Sequence, residues 1–114
     1  MSDYKDLRVW QESMDFVCAI YQATQSFPRE EVYGLTNQIR RASVSMPSNI
    51  AEGASRSSKK DFANFLHIAL GSASEVETQL LIAVRLSYLS EADALLSRVT
   101  TIRKRLNALI HSLR

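Results

Sequence analysis

Apolar residues recur at intervals of three and four through most of the chain, the period that places side chains on one face of an α-helix. The first such run predicts a helix from about Leu7 to Gln25, with Leu7, Trp10, Met14, Val17 and Tyr21 as its inward stripe. A second stripe, Val9, Phe16, Ile20 and Phe27, lies roughly 120° around the same cylinder at about 100° per residue. Phe27-Pro28 closes the helix, because the residue before a proline is pushed out of the α region.

A second helix is predicted to begin between Glu31 and Leu35, to turn Leu35, Ile39, Ala42, Met46 and Ile50 inward, and to end around Gly53 to Arg56. Pro47 lies inside it and lacks the N–H that would bond the Ser43 carbonyl, so a kink is expected there, turning Asn49 and Glu52 into a polar contact. Ser58 and Asp61 form a variant capping box before a third helix, Lys59 to about Leu86. Its inner stripe is Phe62, Leu66, Ala69, Ala73, Val76, Leu80 and Ala83, and the small residues Ala69, Gly71, Ser72, Ala73 and Ser74 predict a close helix crossing around Gly71 to Ala73. Leu80 to Val84 are apolar all round the helix. Ser90 is expected to cap a fourth helix that carries Leu95, Val99, Ile102, Leu106, Leu109 and Leu113.

Short connections make consecutive helices antiparallel neighbours, so the expected fold is all-α: one domain over residues 1–114, an antiparallel up-and-down four-helix bundle kinked at Pro47. One bundle core needs one apolar stripe per helix. The surplus stripe Val9, Phe16, Ile20 and Phe27, and the all-round apolar stretch at Leu80 to Val84, are therefore expected at subunit contacts of a homo-oligomer.

Composition agrees with long helices, since only three Gly and two Pro interrupt 114 residues. Cys18 is the one cysteine, which excludes an intrachain disulfide and a multi-cysteine zinc site. No leader pattern and no run approaching a membrane span is visible, so a cytoplasmic address without membrane contact is expected.

Catalytic chemistry is poorly represented. Inward Glu-x-x-His motifs would build a two-metal centre in a bundle, but none occurs and only His67 and His111 are present, so no metal or cofactor is expected. Ser45, Asn49 and Glu52 on the second helix and Glu75 on the third are read as a polar cluster that hydrogen-bonds helices together. Arg105 and His111 have the spacing of an Arg-x5-His pair, which chance explains in a chain with ten Arg. Without a phosphate loop or a nucleophile with its base, an enzyme is not expected.

The net charge of +2 hides an alternation: residues 1–32 sum to −3, 33–60 to +4, 61–97 to −4 and 98–114 to +5. Arg40, Arg41, Arg56, Lys59 and Lys60, with Arg98, Arg103, Lys104 and Arg105, are the candidates for contact with nucleic acid. On the fourth helix Arg98 and Arg105 flank one side of the core stripe, Arg103 the other, and Lys104 points away, so they do not form one strip.

Several local strings occur in order: Leu7-Arg8-Val9-Trp10-Gln11; Phe27-Pro28 with Glu31 and Tyr33-Gly34-Leu35-Thr36; Arg40-Arg41-Ala42; Asn49-Ile50-Ala51-Glu52-Gly53; Phe65-Leu66 with Ala69, Gly71-Ser72, Glu75 and Glu77. Together they resemble the 23S rRNA intervening-sequence proteins. That resemblance implies a four-helix bundle assembled as a ring-like homopentamer. It also implies a relationship to the accessory proteins of diversity-generating retroelements, bundles with basic surfaces that associate with a reverse transcriptase and nucleic acid. Two functions follow as expectations: a non-catalytic oligomeric scaffold that binds nucleic acid or a nucleic-acid enzyme through a basic surface, or a protein-interaction module with no nucleic-acid role.

Overall fold

The computed structural model describes residues 3–114. Four α-helices follow one another: α1 (Arg8–Thr24), α2 (Leu35–Ala54), α3 (Lys59–Arg85) and α4 (Asp93–Ser112), with short 3-10 turns at Tyr4–Asp6 and Arg29–Glu31. No strand occurs among the described residues. Each helix packs on its two neighbours and not across the diagonal, which is the square section of an up-and-down bundle, about 44 Å long.

The inward stripes of α2, α3 and α4 match their sequence periods. Ile39, Met46, Ile50, Leu66, Val76, Leu80, Val99 and Leu106 are completely buried. Ile110, which the period analysis passed over, joins them at 3% exposure.

On α1 the assignment is reversed. Val9, Phe16, Ile20 and Phe27, expected at a subunit contact, are core residues with at most 8% exposure, whereas Met14 and Tyr21 of the expected inner stripe are 42% and 41% exposed. The buried face is a six-position repeat in which small hydroxyls stand between the large side chains: Val9, Ser13, Phe16, Ile20, Thr24 and Phe27. Thr24 is tolerated there because its hydroxyl bonds back to the Ile20 carbonyl at 2.8 Å. The outer stripe carries Trp and Tyr, whose polar atoms favour a wet edge over a hydrocarbon interior.

The α2–α3 pair has the most extensive contact in the molecule. A Cβ on Gly53 would lie 2.7 Å from Phe65 Cβ and 3.2 Å from the Phe62 carbonyl oxygen, so only glycine admits the neighbouring backbone there. Ala42, Ala69 and Ala73 keep the seam narrow, and the Ser72 and Ser45 hydroxyls bond across it at 2.9 Å. The close approach expected at Gly71 is therefore real at Ala73 but not at Gly71, which faces outward with nothing within 4 Å of where its Cβ would be. An outward glycine in the middle of a helix costs about 1 kcal/mol relative to alanine. The chain's own packing gives no reason for it.

α2 runs unbroken through the buried Pro47. α3 starts on Ser58, whose hydroxyl accepts from the Asp61 N–H at 3.1 Å. It ends in a Schellman turn: Tyr88 N–H bonds the Ala83 carbonyl at 2.8 Å, Ser87 N–H bonds Val84 at 3.0 Å, and Ser87 takes φ 63. α4 begins two residues later than its expected cap, with the buried Ala92 rather than Ser90 at the N-cap and no side-chain bond to the first turn.

The reversal on α1 sets a test. A charge at position 16 would lie in the completely buried core, so Phe16→Glu is expected to abolish cooperative unfolding and most of the helical circular dichroism at 25 °C. A variant that keeps its helix content and loses only self-association would return this stripe to the surface.

Candidate functional site

With one α1 stripe in the core, the other is left at the surface. Trp10, Met14 and Val17 line one wall of an open groove of about 320 Å³, and Val44, Pro47 and Ala51 of α2 line the opposite wall. Tyr4 closes one end, its ring edge-on to Trp10 at 5.4 Å between centroids. The groove is lined mainly by carbon. It lies along two rigid helices and holds no ionisable cluster.

Several of the nine basic candidates are engaged within the chain. Arg40 fastens α2 to the end of α1: its Nε donates to Thr24 Oγ1 at 2.8 Å, a terminal nitrogen donates to the Tyr21 carbonyl at 3.3 Å, and the guanidinium stacks on the Tyr21 ring at 4.6 Å. It thereby adds a donor to a carbonyl that the Gln25 N–H, bonded to Gln22 instead, leaves without a backbone partner. Arg103 pairs with Glu77 of α3 at 3.0 Å, and Arg105 pairs with Glu12 of α1. Arg56 pairs with Glu52 in its own helical end and stacks on Phe65 at 4.9 Å. Arg98 lies 5.8 Å from the Phe16 ring centre. Arg41, Lys59, Lys60 and Lys104 are exposed and form no ion pair among the described residues.

The polar cluster is smaller than expected. Ser45 makes the bond to α3 already described, and Asn49 donates back to the Ser45 carbonyl and hydroxyl at 2.8 and 2.9 Å within α2. Of the two side chains expected to turn into a polar contact, the half-buried Asn49 makes one with Ser45, whereas Glu52 stays exposed beside Arg56. Glu75 is also exposed, on the α2–α3 groove.

One polar constellation escaped the sequence reading. The Glu31 carboxylate accepts from the Leu35 N–H at 3.0 Å and from the Tyr88 hydroxyl at 2.8 Å, joining the start of α2 to the α3–α4 corner. Gly34 makes room for it, since a Cβ there would lie 2.5 Å from the Glu31 carboxylate. The backbone hydrogen bond from Leu35, and then that from Tyr88, hold the Glu31 carboxyl below its ordinary range, while the same carboxylate pushes the Tyr88 phenol up. Sequence gave only a faint signal, because the two residues are 57 positions apart. Among the described residues no group of three or more His, Cys, Asp or Glu is placed to hold a metal ion, and no helix is long and apolar enough to cross a membrane.

Residues 5–108 match the model of the family described as 23S rRNA-intervening sequence protein. A crystal structure of a protein of unknown function from the S23 ribosomal protein family of Bacteroides thetaiotaomicron is similar, with a TM-score of 0.80 and 29% identity, over 90% of this chain and 97% of that one. No curated protein is significantly similar in sequence.

The Glu31–Tyr88 link has a pH signature. A carboxyl whose pKa is lowered by folding stabilises above its unfolded value, and loses that contribution as pH falls through the folded value. Glu31→Gln is therefore expected to melt below the wild type at pH 7, with the difference narrowing as the medium is acidified below the ordinary carboxylate range. A difference that stays constant from pH 7 down to full protonation would assign the ionised form of the carboxylate no role in stability.

Proposed function

The chain belongs to the 23S rRNA-intervening sequence protein family, and from that membership we propose a non-catalytic, homo-oligomeric helical scaffold whose copies meet through the groove between α1 and α2. The observation that carries this reading is the exposure of that groove. Trp, Tyr and Met are among the residue types enriched in interface centres, and here they lie along the outer side of α1, with Trp10 half-buried at the edge of the core and Met14 and Tyr21 exposed. Each large apolar side chain buried in a contact contributes about 1.5–3 kcal/mol, so a few per interface suffice to hold copies together. Five copies is the number that the family resemblance implies. Light scattering coupled to size exclusion at micromolar concentration tests both parts, with a mass near five times 12.9 kDa expected. A 12.9 kDa species would remove the scaffold reading, and two or four copies would remove only the number.

A second reading adds nucleic acid as a partner of the scaffold. It rests on Arg41, Lys59, Lys60 and Lys104, whose charges are not engaged in ion pairs within the chain among the described residues. Contacts from such lysines and arginines are to phosphate, so four of them on a single strand give a log–log salt slope of about −3. Fluorescence anisotropy with a labelled single-stranded RNA at low and physiological salt measures that slope. Absence of binding at the low salt would leave a protein-interaction module with no nucleic-acid role.

A further inference from the structure

A hollow of about 220 Å³ lies between α1 and α4 and shares no lining residue with the α1–α2 groove. Glu12 and Asp15 line it from α1, Ser97, Arg98 and Thr101 from α4, and the buried Ile102 is its apolar floor.

The charges here fall into two sets. Glu12 is engaged by Arg105 in the pair that ties α1 to α4. Asp15 and Arg98 are exposed, and neither has an ion-pair partner among the described residues. Helix register keeps them apart. Taken from the Glu12–Arg105 pair, Asp15 is three residues further along α1, and Arg98 is seven residues away in the same direction along the antiparallel α4. At about 1.5 Å per residue their backbones are offset by about 6 Å along the bundle axis. The Arg98 guanidinium is steadied 5.8 Å from the Phe16 ring centre, a contact that leaves its charge uncompensated.

A simple anion would meet Asp15 in this hollow and a simple cation would meet Arg98, so a molecule that carries both signs is the one that suits both. The hydroxyls agree with that polarity. Thr101 Oγ1 donates its proton to the Ser97 carbonyl at 3.1 Å, which leaves its lone pairs to accept from an ammonium. The Ser97 hydroxyl is able to donate to a carboxylate. Size is limited as well, because sites for drug-sized ligands enclose about 300–1,000 Å³.

We propose that the α1–α4 hollow binds a small free α-amino acid. Asp15 and Thr101 take its ammonium, Arg98 and Ser97 its carboxylate, and a short apolar side chain rests on Ile102. This site goes beyond the scaffold reading and does not depend on it.

Saturation-transfer difference NMR on the full chain tests the assignment, with L-alanine as the probe. N-acetyl-L-alanine lacks the ammonium and L-alaninamide lacks the carboxylate, so each control removes one of the two charges. L-alanine is expected to give a saturable signal in the millimolar range. Each control is expected to bind the wild type about tenfold more weakly, the effect of losing one charge-assisted contact, and Arg98→Gln and Asp15→Asn are expected to weaken L-alanine to the same degree. Both positions are exposed, and circular dichroism should show unchanged helix content in each variant. Absence of a saturable L-alanine signal would overturn the proposal. Equal binding of either control, or unchanged binding of L-alanine by either variant, would overturn it too. Assembly mass does not enter the measurement, so a negative result here leaves the scaffold reading standing, and a monomeric wild type leaves this site standing.

Discussion

The close approach of α2 to α3 is the constraint on which the rest of the molecule depends. Gly53 lets the Phe62 carbonyl and the Phe65 side chain come within contact of the α2 backbone. The Ser45–Ser72 bond then fixes the axial register of the antiparallel pair. Because side chains in close-packed interiors cannot shift by much without loss of contact, fixing that register fixes what faces what along both helices. It brings the first turn of α2 level with the last turn of α3, where Glu31 meets Tyr88.

The remaining two helices are held differently. α4 uses a hydrocarbon stripe of Val99, Ile102, Leu106 and Ile110, flanked by Arg103 to α3 on one side and Arg105 to α1 on the other. Pairs about one-third exposed contribute modestly, about 0.2–1 kcal/mol each, and their larger effect is orientation. They also explain why a count of basic residues overstates the charge offered to a polyanion. Arg40, Arg103 and Arg105 fasten helices to one another, and a phosphate would have to displace those partners.

Most of the fold was legible because α2, α3 and α4 each carry one dominant three-four repeat. α1 carries two, and hydrophobicity alone ranked them wrongly. The decisive information was chemical. Ser13 and Thr24 interrupt the apolar run of the true core stripe, although a small hydroxyl can bond its own helix and be buried, as Thr24 does. Trp10 and Tyr21 read as core although their polar atoms need an edge. The start of α4 was misplaced because Ser90 and the acids after it resemble a cap, while the chain uses the burial of Ala92 instead. The arginine struts and the Glu31–Tyr88 bond link positions 16 or more apart and leave no local pattern, so they became visible only with the helices in place.

The Schellman turn at Ser87 has a consequence for the order of assembly. It turns the chain sharply enough to carry Tyr88 back towards the beginning of α2, so the phenol finds its acceptor only when α2 and α3 are aligned and the turn has closed. A bond spanning 57 residues incurs its loop-closure entropy unless intervening structure has already shortened the path. Tyr88 is thus a natural spectroscopic reporter of completion. Its phenol signals a finished corner, while the bulk helix signal can be in place well before.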